Sequence, residues 1–587
     1  MSITSSSGSK TLAQLPSARD LWLVLIPLVL SFCVFWQVRH FEAISYDDPA
    51  HLYENEAIKP GLTSQGVKWA LTQTGETNLW HPVTWFSFML DVEIFGLDVL
   101  AGHHLTNLGL HLVAVALLYL LLLHYFEQSW LALLLCCLWA IHPHRAQNVA
   151  WISGRKDVLA MAFLLGSWLA WVKSTRTLKS GLTLLSLLLF TLSMMSKPSA
   201  VGLPLILIAS DFLFKKPLTQ KSKVSIGAFL AVSLLTAALA LYFQKQGGLA
   251  EVDQARPLGT RLLQLPFTLW WYLQATIFSN GTFWVYSPTS TTHLTVIPCI
   301  GLALVAGLIF RFRKNSLILF GSAAVIFFWL PVSGLTSVSF YQVAERYSYF
   351  IQLGILFVLG GALLELLQKG QSHRTINFLA MAGITASLLL AKVTYQRTAL
   401  WENDLQFFTA EETINPRSLL AQIFLGNAHK TAQDWSTALG HYHQALRLDP
   451  ESGLAATHAG SCYEELGELA QAHEYYHQAT QAKVLQDATP FQKLALLLHS
   501  QKKTPNAIEV LISGIDRFPR EPILHYDLAT FYLRHEHNPE AALQHYEKAL
   551  SLAPNFREAK LGKALSLQEL RKPKESKQLL REFKALE

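Results

Sequence analysis

The sequence predicts an all-α membrane protein in two unlike parts, a polytopic bundle of transmembrane helices followed by a polar α-solenoid. Hydrophobic residues make up 51% of the 587 residues and charged residues 15%, whereas soluble globular chains usually carry about 25% charge. Apolar runs of membrane-spanning length recur over residues 21–394. From residue 395 onward the chain is polar and repeats at a fixed spacing. This composition excludes an ordinary cytosolic enzyme and a disordered scaffold.

The first part, residues 21–394, begins with an apolar run long enough to span a membrane. This run, 21–36, has Arg19 before it and no small-residue cleavage site after it. We therefore predict an uncleaved signal-anchor, preceded by a cytoplasmic tail over residues 1–20. The next stretch, 40–104, is too polar to span and is predicted to form a long first outer loop. The later apolar runs are 105–126, 130–141, 158–172, 180–195, 199–214, 224–243, 262–278, 294–310, 316–331, 348–367 and 376–391.

Short basic connectors orient these runs, because Lys and Arg are enriched in cytoplasmic loops. The four connectors lie at 173–179, 215–223, 311–314 and 369–374. All four face the cytoplasm if the run 262–278 is a re-entrant or interfacial segment, a position that its Pro266 and Trp270-Trp271-Tyr272 suit. The sequence then predicts about eleven crossings, with the long first loop and the C-terminal part outside. The alternative is about twelve crossings with a cytoplasmic C-terminal part.

The second part, residues 395–587, repeats with the 34-residue period of the tetratricopeptide repeat (TPR), as in the recurrence of Gly426 at Gly460. Small residues at these positions let two antiparallel helices approach closely, and Pro450 ends the second helix of its pair. A charged final pair, 556–584, is typical of a cap. We predict a TPR α-solenoid that binds peptides and carries no chemistry of its own.

Ionisable side chains cluster in the predicted outer loops. Asp47 and Asp48 follow the first crossing, and two adjacent carboxylates at a membrane edge can act as a general base or bind a metal. The simpler interpretation of an isolated Asp-Asp-Pro is a solvated turn. The other candidates in these loops are His81, His103, His104, Asn107, His142, Arg155, Lys156, Lys197, Glu345 and Arg346. Together they form a basic set beside one carboxylate pair, which suits a phosphate and a proton acceptor.

His104, Asn107 and His111 are spaced to share one helix face. That spacing permits a metal site, but no carboxylate stands at a spacing that completes a ligand set. A satisfied polar face is the simpler interpretation.

The motifs of the first part follow one another in a distinctive order. They are Tyr46-Asp47-Asp48, Trp80-His81-Pro82, His103-His104-Leu105-Thr106-Asn107, His142-Pro143, Arg155-Lys156-Asp157, Lys197-Pro198 and Ala344-Glu345-Arg346-Tyr347. This order resembles the transmembrane and TPR glycosyltransferase family, proteins of GT-C type related to the O-mannosyltransferases. Two departures from the family pattern occur. Gln147 stands where members commonly carry Glu, and Phe350-Ile351 stands where a Pro is usual.

The resemblance implies a GT-C-like membrane domain over 21–394 and an inverting sugar transfer. The donor would be a polyprenyl-phosphate sugar, with mannose the first candidate, and the acceptor a Ser or Thr hydroxyl of an exported protein bound by the TPR array. Asp47 or Asp48 would remove the hydroxyl proton, with Asp48 preferred because it is nearer Pro49. Arg346, then Arg155, Lys156 and Lys197, would contact the phosphate. Further substrate-site candidates are His81, His103, His104, Asn107, His142, Glu345 and Gln147.

No cofactor is expected, and a divalent metal is permitted but not favoured. The alternative function is a non-enzymatic membrane scaffold that uses its TPRs to assemble envelope complexes. Gln147 favours this alternative, whereas the Asp47-Asp48 pair and the basic set disfavour it. Short loops favour a bacterial inner membrane with the TPR domain in the periplasm. The net charge of +6 is scattered along the chain and does not indicate nucleic-acid binding.

Overall fold

A computed structural model of the chain describes residues 18–73, 79–177, 180–215, 219–246, 258–277, 285–286, 296–335, 343–368, 373–483, 485 and 487–584. These residues are overwhelmingly helical, and the two strands among them, β1 Val285–Tyr286 and β2 Val343–Ala344, pair antiparallel with Val285 opposite Ala344. The predicted all-α class is confirmed. The chain forms two compact units, Met1–Ala410 and Glu411–Glu587.

The first unit contains the helices of the predicted membrane domain. They are α1 Ala18–Trp22, α2 Leu25–Phe35, α3 Ser64–Thr72, α4 Pro82–Phe95, α5 Leu100–Phe126, α6 Ser129–Ala140, α7 Arg145–Ala150, α8 Arg155–Thr177, α9 Ser180–Ser196, α10 Leu203–Leu213, α11 Gln220–Gln246, α12 Leu258–Ile277, α13 Val296–Arg311, α14 Ser316–Trp329, α15 Ser348–Gln368 and α16 His373–Ala399. Short 3-10 segments such as Ile152–Gly154 and Glu345–Tyr347 precede α8 and α15.

Five helical stretches in the described part of the chain are long and apolar enough to cross a membrane. They are Arg19–His40, Leu100–Phe126, Ile152–Ser174, Ser222–Phe243 and Glu345–Leu367. Five shorter apolar helices accompany them within the same described ranges. The predicted polytopic helix bundle is therefore confirmed. The number of crossings and the re-entrant position of 262–278 stay predictions. Residues 262–277 of that run lie in the single helix α12, and residue 278 lies outside the described residues.

The membrane unit buries a central helix and exposes apolar side chains on peripheral ones. Helix α8 packs against both α5 and α9, so that Trp168 and Leu164 on it are fully buried. Leu234 on α11 and Leu304 on α13 are instead 72% and 67% exposed. Lipid tails can cover such side chains at no hydrophobic cost, which fits helices at the rim of a bundle.

The first unit continues past the change in composition near residue 395. Asp404 accepts a hydrogen bond from the backbone N–H of Ser45 at 2.8 Å, and the carbonyl of Glu402 accepts one from Glu42 at 2.8 Å. These contacts tie the segment after α16 to the first outer loop. The compact unit ends after Ala410, and the predicted domain boundary after residue 394 stays a prediction.

Helix α17, Asp404–Ile414, leads into the second unit, which consists of antiparallel helix pairs. These helices are α18 Leu419–Thr431, α19 Trp435–Leu448, α20 Gly453–Glu465, α21 Leu469–Gln481, α22 Thr489–Ser500, α23 Thr504–Arg517, α24 Pro522–Arg534, α25 Pro539–Leu552, α26 Arg557–Glu569 and α27 Pro573–Lys584. Ser418, Asp434 and Ser452 accept hydrogen bonds from the first turns of the helices they precede and so fix three of the helix starts. The predicted α-solenoid is confirmed.

The recurring glycine permits close contact between the two helices of a repeat. A Cβ atom at Gly460 would lie 2.7 Å from Cδ1 of Tyr476, whose ring is fully buried. We expect Gly460→Ala to lower the free energy of unfolding by about 1–3 kcal/mol, because the ring has to move. Thermal unfolding of the full chain in detergent measures the effect.

Gly440, which lies on α19, provides the matched control. Nothing lies within 4 Å of a Cβ atom built on it, so Gly440→Ala should stabilise the helix by up to about 1 kcal/mol. Equal effects of the two substitutions would show that the packing of Gly460 against Tyr476 does not matter.

Candidate functional site

The loop after the first span presents two adjacent carboxylates in different environments. Asp48 is fully buried, and its oxygens accept hydrogen bonds from the backbone of Ile44 at 2.9 Å and from the backbone and hydroxyl of Ser153 at 2.9 and 2.5 Å. Burial raises the pKa of Asp48 to about 7, although these hydrogen bonds oppose the rise. The side chain of Asp47 is 32% exposed and its Oδ2 lies 3.8 Å from Nζ of Lys156. Asp48 thus anchors the loop, whereas Asp47 faces a basic group.

Three basic side chains gather on two aromatic rings. Nζ of Lys156 and the guanidinium carbon of Arg346 lie 5.5 and 5.6 Å from the ring centroid of Trp151. Arg346 and Lys197 lie 5.1 and 4.9 Å from the ring of Tyr347. Cations are attracted to the faces of aromatic rings, which helps to hold like charges together. We call Lys156, Lys197 and Arg346 the cation cluster.

The charges of the cation cluster are only partly balanced by the described carboxylates around it. Lys197 pairs with Asp157 at 2.6 Å, and Lys156 lies near Asp47. The Nε and Nη1 atoms of Arg346 are buried and have no hydrogen-bond partner among the described residues. Buried N–H groups without an acceptor are costly. The cluster therefore has unused donors for an anion beside the carboxylate of Asp47.

The backbone around Arg346 is held from several sides. Oε1 of Gln147 accepts from the N–H of Arg346 at 2.8 Å, and the amide of Asn148 donates to its carbonyl at 3.3 Å. The hydroxyl of Tyr272 accepts from the N–H of Ala344 at 3.3 Å. Nε2 of Gln147 is buried, and no described residue forms a hydrogen bond with it. Gln147 therefore supplies the acceptor that orients this turn, as the oxygen of a Glu at this position would also do.

Arg155, the neighbour of Lys156, faces a different group of residues. Its guanidinium forms an ion pair with Asp91 at 2.6 Å and donates to Ser87 and to the carbonyl of His103 at 2.8 Å each, while its Nε donates to Asn107. Burial would raise the pKa of Asp91, but its contacts with His103 and Arg155 outweigh burial and lower it. The donors of Arg155 thus have protein acceptors, and the structure does not bring it into the cation cluster.

His81 is the predicted imidazole that lies near the cation cluster. It is buried, and its Nδ1 has no hydrogen-bond partner in the ranges that the structure describes. Burial, together with the charges of Lys156 and Lys197, lowers the pKa of His81 well below its ordinary value. His81 is therefore neutral at physiological pH and adds a polar group to the site without adding charge.

The remaining predicted candidates contact protein groups. His104 contacts the carbonyl of Glu42, Asn107 donates to the carbonyl of Trp151, His111 contacts Tyr349 and the carbonyl of Ala140, His142 contacts the carbonyl of Thr276, and Glu345 pairs with Arg397. His104, Asn107 and His111 thus form a hydrogen-bonded polar face. Within the described residues no group of three His, Cys, Asp or Glu side chains is arranged to hold a metal ion.

Several residues of the site were not predicted. Asp157 and Tyr347 lie inside the quoted motifs, so the motifs carried a signal for them, although no role was assigned. Trp151 lies four residues before the Arg155-Lys156-Asp157 motif. Ser153, which binds Asp48, and Arg397, which binds Glu345, carry no pattern that marks them in the sequence.

Comparisons with known proteins agree with both parts of the chain. A family model described as a tetratricopeptide repeat matches residues 425–484 and 493–556, which confirms the predicted repeats. Protein O-mannosyl-transferase F38B6.6 of Caenorhabditis elegans is 24% identical over 402 residues, which cover 65% of this chain and 55% of that protein. Protein O-mannosyl-transferase TMTC3 of Mus musculus is 22% identical over 614 residues, which cover 96% of this chain and 63% of that protein. This chain is similar in sequence to both of these proteins.

The resemblance predicted from the motifs is thereby confirmed. Protein O-mannosyl-transferase Tmtc2 of Drosophila melanogaster is 31% identical over a shorter stretch of 142 residues, 23% of this chain and 15% of that protein. This chain spans between half and two thirds of the length of the worm and mouse relatives. Among solved structures, the TPR protein YrrB aligns with 30% of this chain and 90% of its own at 17% identity and a TM-score of 0.26.

Proposed function

We propose that this protein is a membrane glycosyltransferase that moves a sugar, with mannose the first candidate, from a polyprenyl-phosphate donor to Ser or Thr hydroxyls of exported proteins. The observation that carries the proposal is the partly exposed carboxylate of Asp47, which lies 3.8 Å from Lys156. Beside it are two N–H groups of Arg346 that have no acceptor within the described part of the chain. Transfer to a hydroxyl requires a proton acceptor next to a site for the departing phosphate. The names of the worm and mouse relatives, both protein O-mannosyl-transferases, support the same reaction class.

In this mechanism Asp47 is the general base. The acceptor oxygen forms a bond to the anomeric carbon while the bond from that carbon to the phosphate oxygen breaks. The hydroxyl proton passes to the carboxylate of Asp47, and the lipid phosphate leaves with the bonding electron pair. Attack from the face opposite the phosphate inverts the anomeric configuration. The partial exposure of Asp47 favours it over the fully buried Asp48, whose oxygens already accept hydrogen bonds from Ile44 and Ser153.

The cation cluster would stabilise the departing phosphate. Arg346 offers two buried N–H groups for which the described residues supply no acceptor, and Lys156 and Lys197 add two charges. Preorganised cations at the leaving group act in the transition state, where negative charge grows on the phosphate. We propose no metal ion for this step, because the three basic side chains of the cation cluster can supply the positive charge that a metal ion would bring.

The TPR array would bind the acceptor polypeptide. An exported polypeptide can be bound only on the outer side of the membrane. We therefore propose a bacterial inner membrane with the TPR array in the periplasm. The charge distribution that supports this orientation is the set of basic connectors on the opposite side of the predicted spans.

Purified full-length protein, given polyprenyl-phosphate mannose and a mixed pool of exported peptides, tests the proposal. Transfer is expected from this donor, and neither GDP-mannose nor a polyprenyl-diphosphate sugar should replace it. Failure of every donor with a protein that is folded and still binds peptides would reject the enzyme and favour the TPR scaffold.

Arg346→Gln is expected to weaken transfer by about tenfold to a hundredfold, the equivalent of one lost charge-assisted hydrogen bond. The control is Arg313→Gln, since Arg313 lies in an exposed connector outside the site and donates to a nearby carbonyl. A loss of transfer in both variants alike would remove Arg346 from the phosphate site.

A further inference from the structure

We infer that the segment 395–404 is a positioning element of the catalytic site. It fixes the position of the loop that carries Asp47 relative to the turn that carries Arg346. This inference rests on the proposed function for its catalytic meaning. In the sequence the segment is only the border between the apolar and the polar part. In the structure it contacts the loop that supplies the base, the turn that supplies Arg346, and Trp151, whose ring Lys156 and Arg346 approach.

The first contact is with the loop that carries the base. The N–H of Ser45 donates to Oδ1 of Asp404 at 2.8 Å, and the N–H of Glu42 donates to the carbonyl of Glu402 at 2.8 Å. Ser45 lies two residues before Asp47 and is itself exposed. Its bond to Asp404 therefore restrains a part of the loop that water would otherwise solvate.

The second contact is with the turn that carries Arg346. Nη2 of Arg397 lies 2.5 Å from Oε1 of Glu345, the residue immediately before Arg346. The two side chains are 13% and 3% exposed, so the ion pair is largely shielded from water. Nε2 of His144 lies 3.6 Å from the same oxygen. Removing one partner of a buried pair leaves a charge uncompensated, so Arg397 fixes the direction in which the turn leaves β2.

The third contact is with Trp151, one of the two aromatic rings on which the cation cluster packs. The ring of Trp401 lies 5.8 Å from that of Trp151, and Trp401 is 2% exposed. The ring of Trp151 is the one that Lys156 and Arg346 both approach. Because Trp401 packs against it, the Trp151 ring is held in place. A fixed ring keeps Lys156 and Arg346 at a constant distance from the carboxylate of Asp47.

These three contacts matter because the reacting groups come from distant parts of the chain. Asp47, Lys156 and Arg346 lie in three separate elements. The distances between their side chains therefore depend on the residues that pack against these elements. A misplacement of about 1 Å costs up to a hundredfold in rate. The segment 395–404 contacts the loop of Asp47, the turn of Arg346 and the Trp151 ring that Lys156 approaches, and it is continuous with the helix that leads to the repeats. We therefore expect changes in it to alter catalysis without touching substrate.

Two pairs of variants of the full-length protein test the inference. Asp404→Ala removes the acceptor for Ser45, whereas Asp404→Asn keeps an acceptor oxygen. Arg397→Met removes the charge that pairs with Glu345, whereas Arg397→Lys keeps it. Leu405→Ala is the control, since Leu405 is 48% exposed beside Asp404. Transfer kinetics and hydrogen exchange of the peptides that contain Ser45 and Arg346 are measured for each.

We expect Asp404→Ala and Arg397→Met to lower kcat about tenfold or more, with little change in the KM for peptide. Asp404→Ala should speed exchange at Ser45, and Arg397→Met should speed exchange at 344–347. The conservative variants should recover most of both signals, and Leu405→Ala should behave as the wild type.

The two readouts separate the inference from the proposed function. If the wild type transfers sugar and both disruptive variants match it in kcat and exchange, the inference is wrong and the proposed function stands. If the wild type transfers no sugar, hydrogen exchange alone still tests the positioning role. Unchanged exchange in both disruptive variants overturns the positioning role, and local acceleration confined to the two named segments supports it.

Discussion

Asp47→Asn should lower the rate of sugar transfer by about a hundredfold or more, within the 10²–10⁴ range of a lost general base. The amide cannot take up the hydroxyl proton, while its size leaves the loop unchanged. The side chain is 32% exposed, so the substitution should leave the thermal midpoint near that of the wild type. Initial rates at saturating donor measure kcat, and the KM for peptide should change little.

Asp48→Asn is the matched variant and should act differently. The buried carboxylate accepts from Ile44 and from Ser153, and an amide cannot accept on both sides. We expect a loss of about 1–3 kcal/mol in the free energy of unfolding, the usual cost of an unpaired buried group. Because burial raises the pKa of Asp48 to about 7, a base at this position would lose activity below about pH 7. A decline of rate below that pH that vanishes in Asp48→Asn, together with full activity of Asp47→Asn, would contradict the assignment.

Arg155→Met should lower the free energy of unfolding by about 3–5 kcal/mol, the usual effect of removing one partner of a buried ion pair. Asp91, only 3% exposed, would keep its charge without the guanidinium 2.6 Å away. Ser87, Asn107 and the carbonyl of His103 would lose their donor as well. Unfolding of the full chain in mixed detergent micelles gives the difference.

Two further variants make the result interpretable. Lys173→Met, at an exposed position of the same helix, should have little effect on stability. Arg155→Met combined with Asp91→Leu should recover part of the loss, because no charge then remains buried. A small change in stability with a large rise in the KM for donor would instead place Arg155 at the phosphate.

The architecture of the protein was predictable because its signals are local. Membrane-spanning length and apolar composition mark the first part, and a 34-residue recurrence such as Gly426 to Gly460 marks the second. The motifs also indicated the side chains from which a site would be built. Asp47, Lys156, Lys197, Arg346 and His81 were all among the candidates, and the fold brings them near one another.

The sequence could not show which of two adjacent candidate residues belongs to the site. Asp47 and Asp48 are adjacent, as are Arg155 and Lys156, and in each pair one side chain is buried in a network while the other reaches the cation cluster. Successive side chains point in different directions, and no local pattern states which direction meets the site.

The sequence by itself thus determined two helical parts, the repeat and the chemical types available for a site. Tertiary structure decided which member of each adjacent pair is free to act. Ser153 binds Asp48 across 105 positions and Asp91 binds Arg155 across 64, so each anchored side chain is chosen by a partner far along the chain. The same holds for Arg397, Trp401 and Asp404, whose contacts with the site exist only after the chain has folded. Burial and hydrogen bonding between distant residues set these choices, and neither quantity can be read from spacing or composition.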